Sequence, residues 1–312
     1  MRQTITLEKA ITQVHDISSR NYDEMVSVKE MRFESLNQMT IAGQPFGLAP
    51  TAQRLISNRL RVPFSYLDRC PVELQQENLN YWIEQESRNR DALFCRFAGD
   101  RVRAIFTERY TVIDNMEVLS KMIDYGFSPQ CEVHLSLDPE MMGLKIPEFG
   151  RTFKLSENDK VVPGISISNS EVGLLCLTIQ AYYYRLVCTN GLITQTSVDA
   201  RYKHISRKIM NEFHNIIENV SVHSQHGRDR LMISSQTAVD NPERTIERFA
   251  IQFQIPKEET EIIKQAYYLE QGGTMFHIIN AFTRAAQNSS LSAFSSHRLE
   301  RTGGNILSML KV

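Results

Sequence analysis

Two polar corners interrupt the most apolar part of this chain, and they hold the side chains best suited to chemistry. The first is Asn169-Ser170-Glu171-Val172-Gly173; the second is Arg185-Leu186-Val187-Cys188-Thr189-Asn190-Gly191. Asn169, Ser170 and Glu171 suit the lining of a site at strand ends. Cys188 becomes a nucleophile only with a base or a cation beside it, because a free thiol titrates near ~8.5. Arg185 is the nearest cation in sequence. If the chain is an enzyme, Glu171, Arg185, Cys188 and His204 are its candidate catalytic residues, with Asn169, Ser170 and Asn190 completing a polar corner that first suggests phosphate chemistry. The same text also reads as ordinary strand corners, since Asn190-Gly191 is a turn pair in which both residues tolerate positive φ.

Two basic clusters suggest a different function. Arg88, Arg90, Arg96, Arg101, Arg103 and Arg109 fall within 22 residues, interleaved with Phe94, Phe97, Phe106 and Tyr110. Guanidinium forks match phosphate, and aromatic faces stack on bases, so Arg96, Arg101, Arg103 and Arg109 are candidate nucleic-acid contacts. Strand alternation puts Arg101 and Arg103 on one face. The second cluster is Arg201, Lys203, Arg207 and Lys208, with His204 among them and no acid inside the stretch. Cations at a helix start oppose the helix dipole unless an anion sits there, which favours a phosphate partner. The bland alternative for both clusters is a solvated basic surface. His214, His223, His226 and Asp229 have spacings a metal could use, but Ser224, Gln225 and Gly227 mark a polar, frayed stretch. No metal and no cofactor is expected: nucleotide-binding glycine loops, paired zinc cysteines and hydrolase elbows are all missing from the sequence.

The elements that must position these residues follow from periodicity and punctuation. Leu7, Ala10, Ile11 and Val14 have helical spacing, Pro50 suits the first turn of a helix running to about Leu60, and Pro71 opens another with Leu79, Trp82 and Ile83 on one face. Leu93–Phe97 and Val102–Phe106 flank Ala98-Gly99-Asp100 as a β-hairpin. Asp114 and Glu117 form a capping-box pattern ahead of a helix. Residues 131–194 read mainly as β, with Val172–Val187 as two strands of a central sheet. From about His204 the pattern is helical, with Asp240-Asn241-Pro242 a marked start. The expected class is α+β: a mixed or antiparallel central sheet, N-terminal helices and a helical C-terminal third. The division is 1–200 for the sheet-bearing part and 201–312 for helices packed on it. The 312 residues are 42% hydrophobic and 23% charged, with a net charge of −1, so a bulk polycation is excluded. Five scattered cysteines suit reduced thiols, and no apolar run is long enough to span a membrane, so a cytoplasmic protein with no membrane partner is expected.

The linked corners resemble the central signature of a phage- and plasmid-borne bacterial family, domain of unknown function 932. Leu60–Tyr66, Val102–Ala104 with Arg109–Asn115, and Asn280–Thr283 with Arg298–Glu300 and Gly303-Gly304 are similar to that family in the same order. Where the family often reads Arg-His-Thr-Gly, this chain has Lys203-His204-Ile205-Ser206. The resemblance implies accessory cargo of mobile elements and carries no catalytic residues over. Together with the basic clusters it gives the leading expectation: a single-stranded DNA-binding accessory protein of phage or plasmid DNA metabolism, acting as a homo-oligomer. An enzyme acting on nucleic acid or nucleotide phosphates is the second expectation. A host-defence-blocking or structural interaction protein is the third.

Overall fold

The computed structural model describes residues 2–156, 159–186, 190–194, 200–202, 208–223 and 226–310. The chain opens with β1 (Arg2–Thr6) and α1 (Leu7–Ser18). The Thr6 hydroxyl accepts from the Lys9 amide and caps the helix, while Leu7, Ala10 and Val14 form its buried stripe. Four short strands follow: β2 (Asn21–Ser27), β3 (Met31–Phe33), β4 (Gln38–Ile41) and β5 (Gln44–Leu48). The sequence pattern predicts none of these five strands. β2 is exposed along most of its length and shows little alternation; β3 and β4 do alternate, with Met31, Phe33, Met39 and Ile41 turned to the core, but over only three and four residues.

Proline punctuation predicts the next elements well. α2 (Pro50–Arg59) starts on Pro50, and α4 (Val72–Ser87) follows Pro71, with the short α3 (Phe64–Leu67) between them. Leu79 and Ile83 of α4 are buried, but Trp82 is 43% exposed and so does not share their core-facing stripe as expected. The predicted hairpin is β6 (Ala92–Ala98) with β7 (Arg101–Phe106). Strands β2-β6-β7-β5-β4-β3 form a mixed six-stranded sheet in which only β5 and β7 pair in parallel. One face of this sheet packs on α2, α3 and α4 through Val26, Phe33, Leu48, Ile56, Leu67, Leu79, Phe97 and Val102.

A second, larger sheet begins after α5 (Asn115–Tyr125). Its strands are β8 (Glu132–Leu137), β9 (Met142–Pro147), β10 (Phe153–Ser156), β11 (Asp159–Asn169), β12 (Leu177–Arg185), β13 (Asn190–Thr194) and β14 (Ala200–Tyr202). The order is β1-β8-β9-β11-β12-β13, antiparallel throughout, with β10 on β11 and β14 on β12. Val172–Val187 therefore gives one strand and not two: residues up to Cys176 form a turn, and β12 alone follows. Alternate residues Val133, Leu135, Leu144, Ile146, Ile165, Ile167 and Ile179 feed the main core. On the opposite pleat, His134, Lys145, Ser166 and Gln180 lie in register across four strands, all buried.

The C-terminal third is helical, as its periodicity predicts: α6 (Lys208–Asn211), α7 (Phe213–His223), α8 (His226–Gln236), α9 (Pro242–Gln252), α10 (Lys257–Tyr268), α11 (Met275–Ala285) and α12 (Ala293–Ser308). These helices share the main core with the large sheet, through Phe213, Ile217, Ile246, Phe282 and Ile306. α12 also answers the polar pleat: Glu300 pairs with Lys145, and His297 Nδ1 lies 3.1 Å from Ser168 Oγ. No helix among the described residues is long and apolar enough to cross a membrane.

Candidate functional site: a cleft between the two sheets

The first polar corner is a junction between the sheets. β11 ends at Asn169, whose buried amide donates to the Ile113 carbonyl and to Asn115 Oδ1, both at 3.0 Å. The next hydroxyl, on Ser170, donates to the Glu140 carbonyl at 2.7 Å and accepts from the Leu174 amide, closing the turn. Gly173 sits at φ +82°, and a Cβ there would lie 2.8 Å from the Phe106 ring, so the turn requires glycine twice over. The corner therefore reaches across to β7 through Phe106, whose ring stacks on Tyr110 at 3.8 Å.

Glu171 is the centre of this junction. Its Oε2 accepts from Arg103 Nη2 at 2.7 Å, and its Oε1 accepts from the Asn115 amide at 2.8 Å. That second bond caps α5 from another element. The sequence assigns this cap to Asp114, but Asp114 makes no side-chain cap and turns to Arg96 instead. Arg96 donates to Asp23 at 2.9 Å, to Asp114 at 2.5 Å and to the Glu171 carbonyl at 3.0 Å. Burial disfavours the Arg96 cation, but its bonds and attraction to Asp23 and Asp114 outweigh that, so its pKa is raised. Tyr110 also donates to the Glu171 carbonyl, and burial lifts its phenol well above the usual range.

A β-bulge re-aims Arg103. On β6, Arg96 pairs with Ala104 while Phe97 pairs with Val102, which leaves Arg103 as the extra residue. The bulge lets Val102 and Ile105 both enter the small core while Arg101 and Arg103 line the seam. The seam holds a cleft of about 530 Å³. α1 contributes Val14, Ile17 and Ser18; α2 contributes Pro50 and Arg54; β7 contributes Arg101 and Arg103. Asn115, Asp138, Pro139, Glu140 and Glu171 also line the cleft. A smaller cavity of about 200 Å³ lies on the Arg96 side, and Ser18, Asn21 and Glu171 line both. Most acids of the cleft are already engaged. Asp138 accepts from the amides of Glu140, Met141 and Ala293, and Glu140 accepts from the Thr51 hydroxyl. Of the arginines, Arg103 is paired with Glu171 and Arg54 lies over the Phe64 ring at 5.6 Å, while neither Arg54 nor Arg101 makes an ion pair among the described residues.

This geometry separates residues that the sequence groups together. Arg96 and Arg103 are 3% and 7% exposed and ion-paired, so they are not part of a solvated basic face. Arg101 does share the cleft with Arg103, whereas Arg109 is exposed, and Lys208 is exposed beside Glu212 at 3.7 Å. Arg185 binds Asp159 and Glu270 and stacks over Phe276 at 4.9 Å. It pairs with Val161, whereas the first corner follows Ser168 at the other end of the same ladder, roughly 25 Å away. Glu171 and Arg185 are therefore not parts of one site. Gly191 belongs with Arg185's end, where it lets the Tyr182 ring pass against the backbone. Cys188, Lys203, His204 and Arg207 lie outside the described residues; Arg201 and Asn190 are placed by their backbones, in β14 and β13. Arg54 and Glu140 were not singled out by sequence. The one available sign was that α2 carries two arginines and no acid.

No curated protein and no solved structure matches the chain. A family match begins at the bulged arginine itself and takes in Glu171, Asp138, Glu140 and the second corner, while Arg54 and Arg101 precede it. A domain of unknown function, DUF932, matches residues 103–301, well over half of the chain, and the protein belongs to that family.

Proposed function

We propose that this protein binds single-stranded nucleic acid across the mouth of the inter-sheet cleft, as an accessory factor in the DNA metabolism of phages or plasmids. The observation that carries this reading is the pair Arg54 and Arg101: two exposed guanidiniums at one cleft with no ion-pair partner among the described residues. Two such forks facing one opening suit successive phosphates. A cleft set between sheets admits an unpaired strand, whose bases can leave the stack, more readily than a duplex. The overall charge of −1 restricts contact to such a local patch. The mobile-element setting rests only on what the resemblance of the two corners implies.

Fluorescence anisotropy with labelled single-stranded oligonucleotides over a salt series tests the reading. Affinity is expected to fall as salt rises, and Arg54→Ala and Arg101→Ala should each weaken binding and lower the salt slope by about 0.7. Binding that is absent at low salt, or indifferent to both substitutions, would rule it out. Sedimentation velocity with and without the oligonucleotide checks the expected homo-oligomer.

A further inference from the structure

We infer that two copies of the chain pair through the open edge of β2, antiparallel about a two-fold axis at Met25. This names the interface of the expected homo-oligomer and does not depend on nucleic-acid binding. The six-stranded sheet has two edges, β2 and β3, and they differ. The β3 edge is closed. The Met31 amide donates to the Val28 carbonyl. The Asn80 side chain accepts from the Phe33 amide and donates to the Phe33 carbonyl, both at 2.8 Å, as a neighbouring strand would. Gln75 accepts from the Leu36 amide just beyond. The β2 edge has no such cover. The Gly99 amide donates to the Arg20 carbonyl and the Val28 amide to the Asp91 carbonyl, which fixes the alternation of the β2–β6 ladder between them. Tyr22, Glu24 and Val26 therefore turn their backbone groups to β6. Asn21, Asp23 and Met25 turn theirs outward, where they meet no backbone partner among the described residues.

The occupant is a second copy of the chain. With β3 closed, β2 of one copy has no edge to join at the far side of the next copy's sheet, so this sheet does not extend head to tail. The pairing left to it is β2 on β2, which closes after two copies. Charge sets the register. β2 has seven residues, Asn21–Ser27, so an axis at the third, fourth or fifth pairs five or more of them. An axis at Asp23 or Glu24 sets a carboxylate directly against its own copy, which is destabilising. An axis at Met25 sets Met25 against the partner's Met25, Glu24 against the partner's Val26 and Asp23 against the partner's Ser27. It also covers Met25, which is 48% exposed in the single chain. Edge strands are commonly guarded by charge, but Asp23 is turned to Arg96 Nε at 2.9 Å, which leaves Glu24 as the exposed charge of the strand.

The test uses the full chain with Met25 substituted. At an axis on Met25 the two Cα atoms lie about 5.5 Å apart, within reach of a disulfide. Met25→Cys is expected to give, under mild oxidation, a covalent dimer linked at position 25. Non-reducing peptide mapping identifies the link, with the parent chain as the control for the native cysteines. In sedimentation equilibrium, Met25→Lys and Met25→Glu each oppose their own charge and should associate about tenfold or more weakly than the parent, while an equimolar mixture of the two regains the dimer. Met25→Pro removes one outward N–H, which an edge strand tolerates, and should give a folded monomer by circular dichroism. If that variant does not fold, the mixed charge variants decide. A monomeric parent chain overturns the interface and the homo-oligomer together and leaves strand binding standing. A dimer that both charge variants leave intact overturns the interface alone. Charge variants that stay apart when mixed, or no link at position 25, overturn the Met25 axis. Loss of oligonucleotide binding with the dimer intact counts against the strand reading only.

Discussion

At the scale of single residues, the arginines of the hairpin show how the same side chain can mean opposite things. Arg96 and Arg101 lie five positions apart in one cluster, yet one is locked among Asp23, Asp114 and the Glu171 carbonyl and the other faces an open cleft. No spacing rule separates them, because Asp23 comes 73 residues before Arg96 and Glu171 comes 75 after. Arg96 makes its three bonds with a planar fork, which a lysine ammonium on a flexible stem does not reproduce. Arg96→Lys keeps the charge and loses the geometry. It is expected to destabilise the protein by ~2–4 kcal/mol, seen as a lower urea midpoint with an unchanged denaturant slope. A midpoint within experimental error of the parent protein would show that the network is held by charge alone.

At the scale of elements, much was legible. Pro50, Pro71 and Pro242 mark the helices they were expected to open, and the hairpin at Gly99 forms where the turn residues put it. The failures have physical causes. Of the strands before Pro50, β1 and β2 are held by neighbours distant in sequence, β8 and β6, while β3, β4 and β5 form local hairpins of only three to five residues each. Val172–Cys176 reads as strand by composition, but Gly173 in a left-handed conformation and the Ser170 hydrogen bonds fold it into a turn. The corner was legible as a place, while its partners were not, since Arg103 reaches it only through a bulge that no local text announces. Gly173→Ala tests the corner as an element. The left-handed φ costs ~1–2 kcal/mol for an L side chain, and the new methyl group must also displace the Phe106 ring. The expected result is a loss of ~1–3 kcal/mol in denaturant unfolding together with weaker strand binding, because the turn carries Glu171. Full stability in this variant would mean that the turn relaxes freely.

At the scale of the whole molecule, the described residues form two hydrophobic cores, one under each sheet, and the cleft is what lies between them. The junction that joins them is polar. Arg96 and Arg103 come from the six-stranded sheet, while Asp114, Asn115 and Glu171 belong with the larger one. Glu171→Ala removes the carboxylate that both faces Arg103 and caps α5. Breaking a buried ion pair from one side typically costs ~3–5 kcal/mol, because the remaining charge is left uncompensated. That cost falls at the seam and in neither core, so it should separate two units that otherwise unfold together. Hydrogen exchange with mass spectrometry in increasing urea measures this directly. In the parent protein, β6–β7 and β11–β12 are expected to lose protection at the same urea concentration. In Glu171→Ala, β6–β7 should open first, since it belongs to the smaller core, and the Asn115 amide should exchange faster even without denaturant. If both sheets still open together, the seam is held mainly by apolar contacts such as Phe106 against Gly173, and the cleft is then a fixed gap between rigid walls.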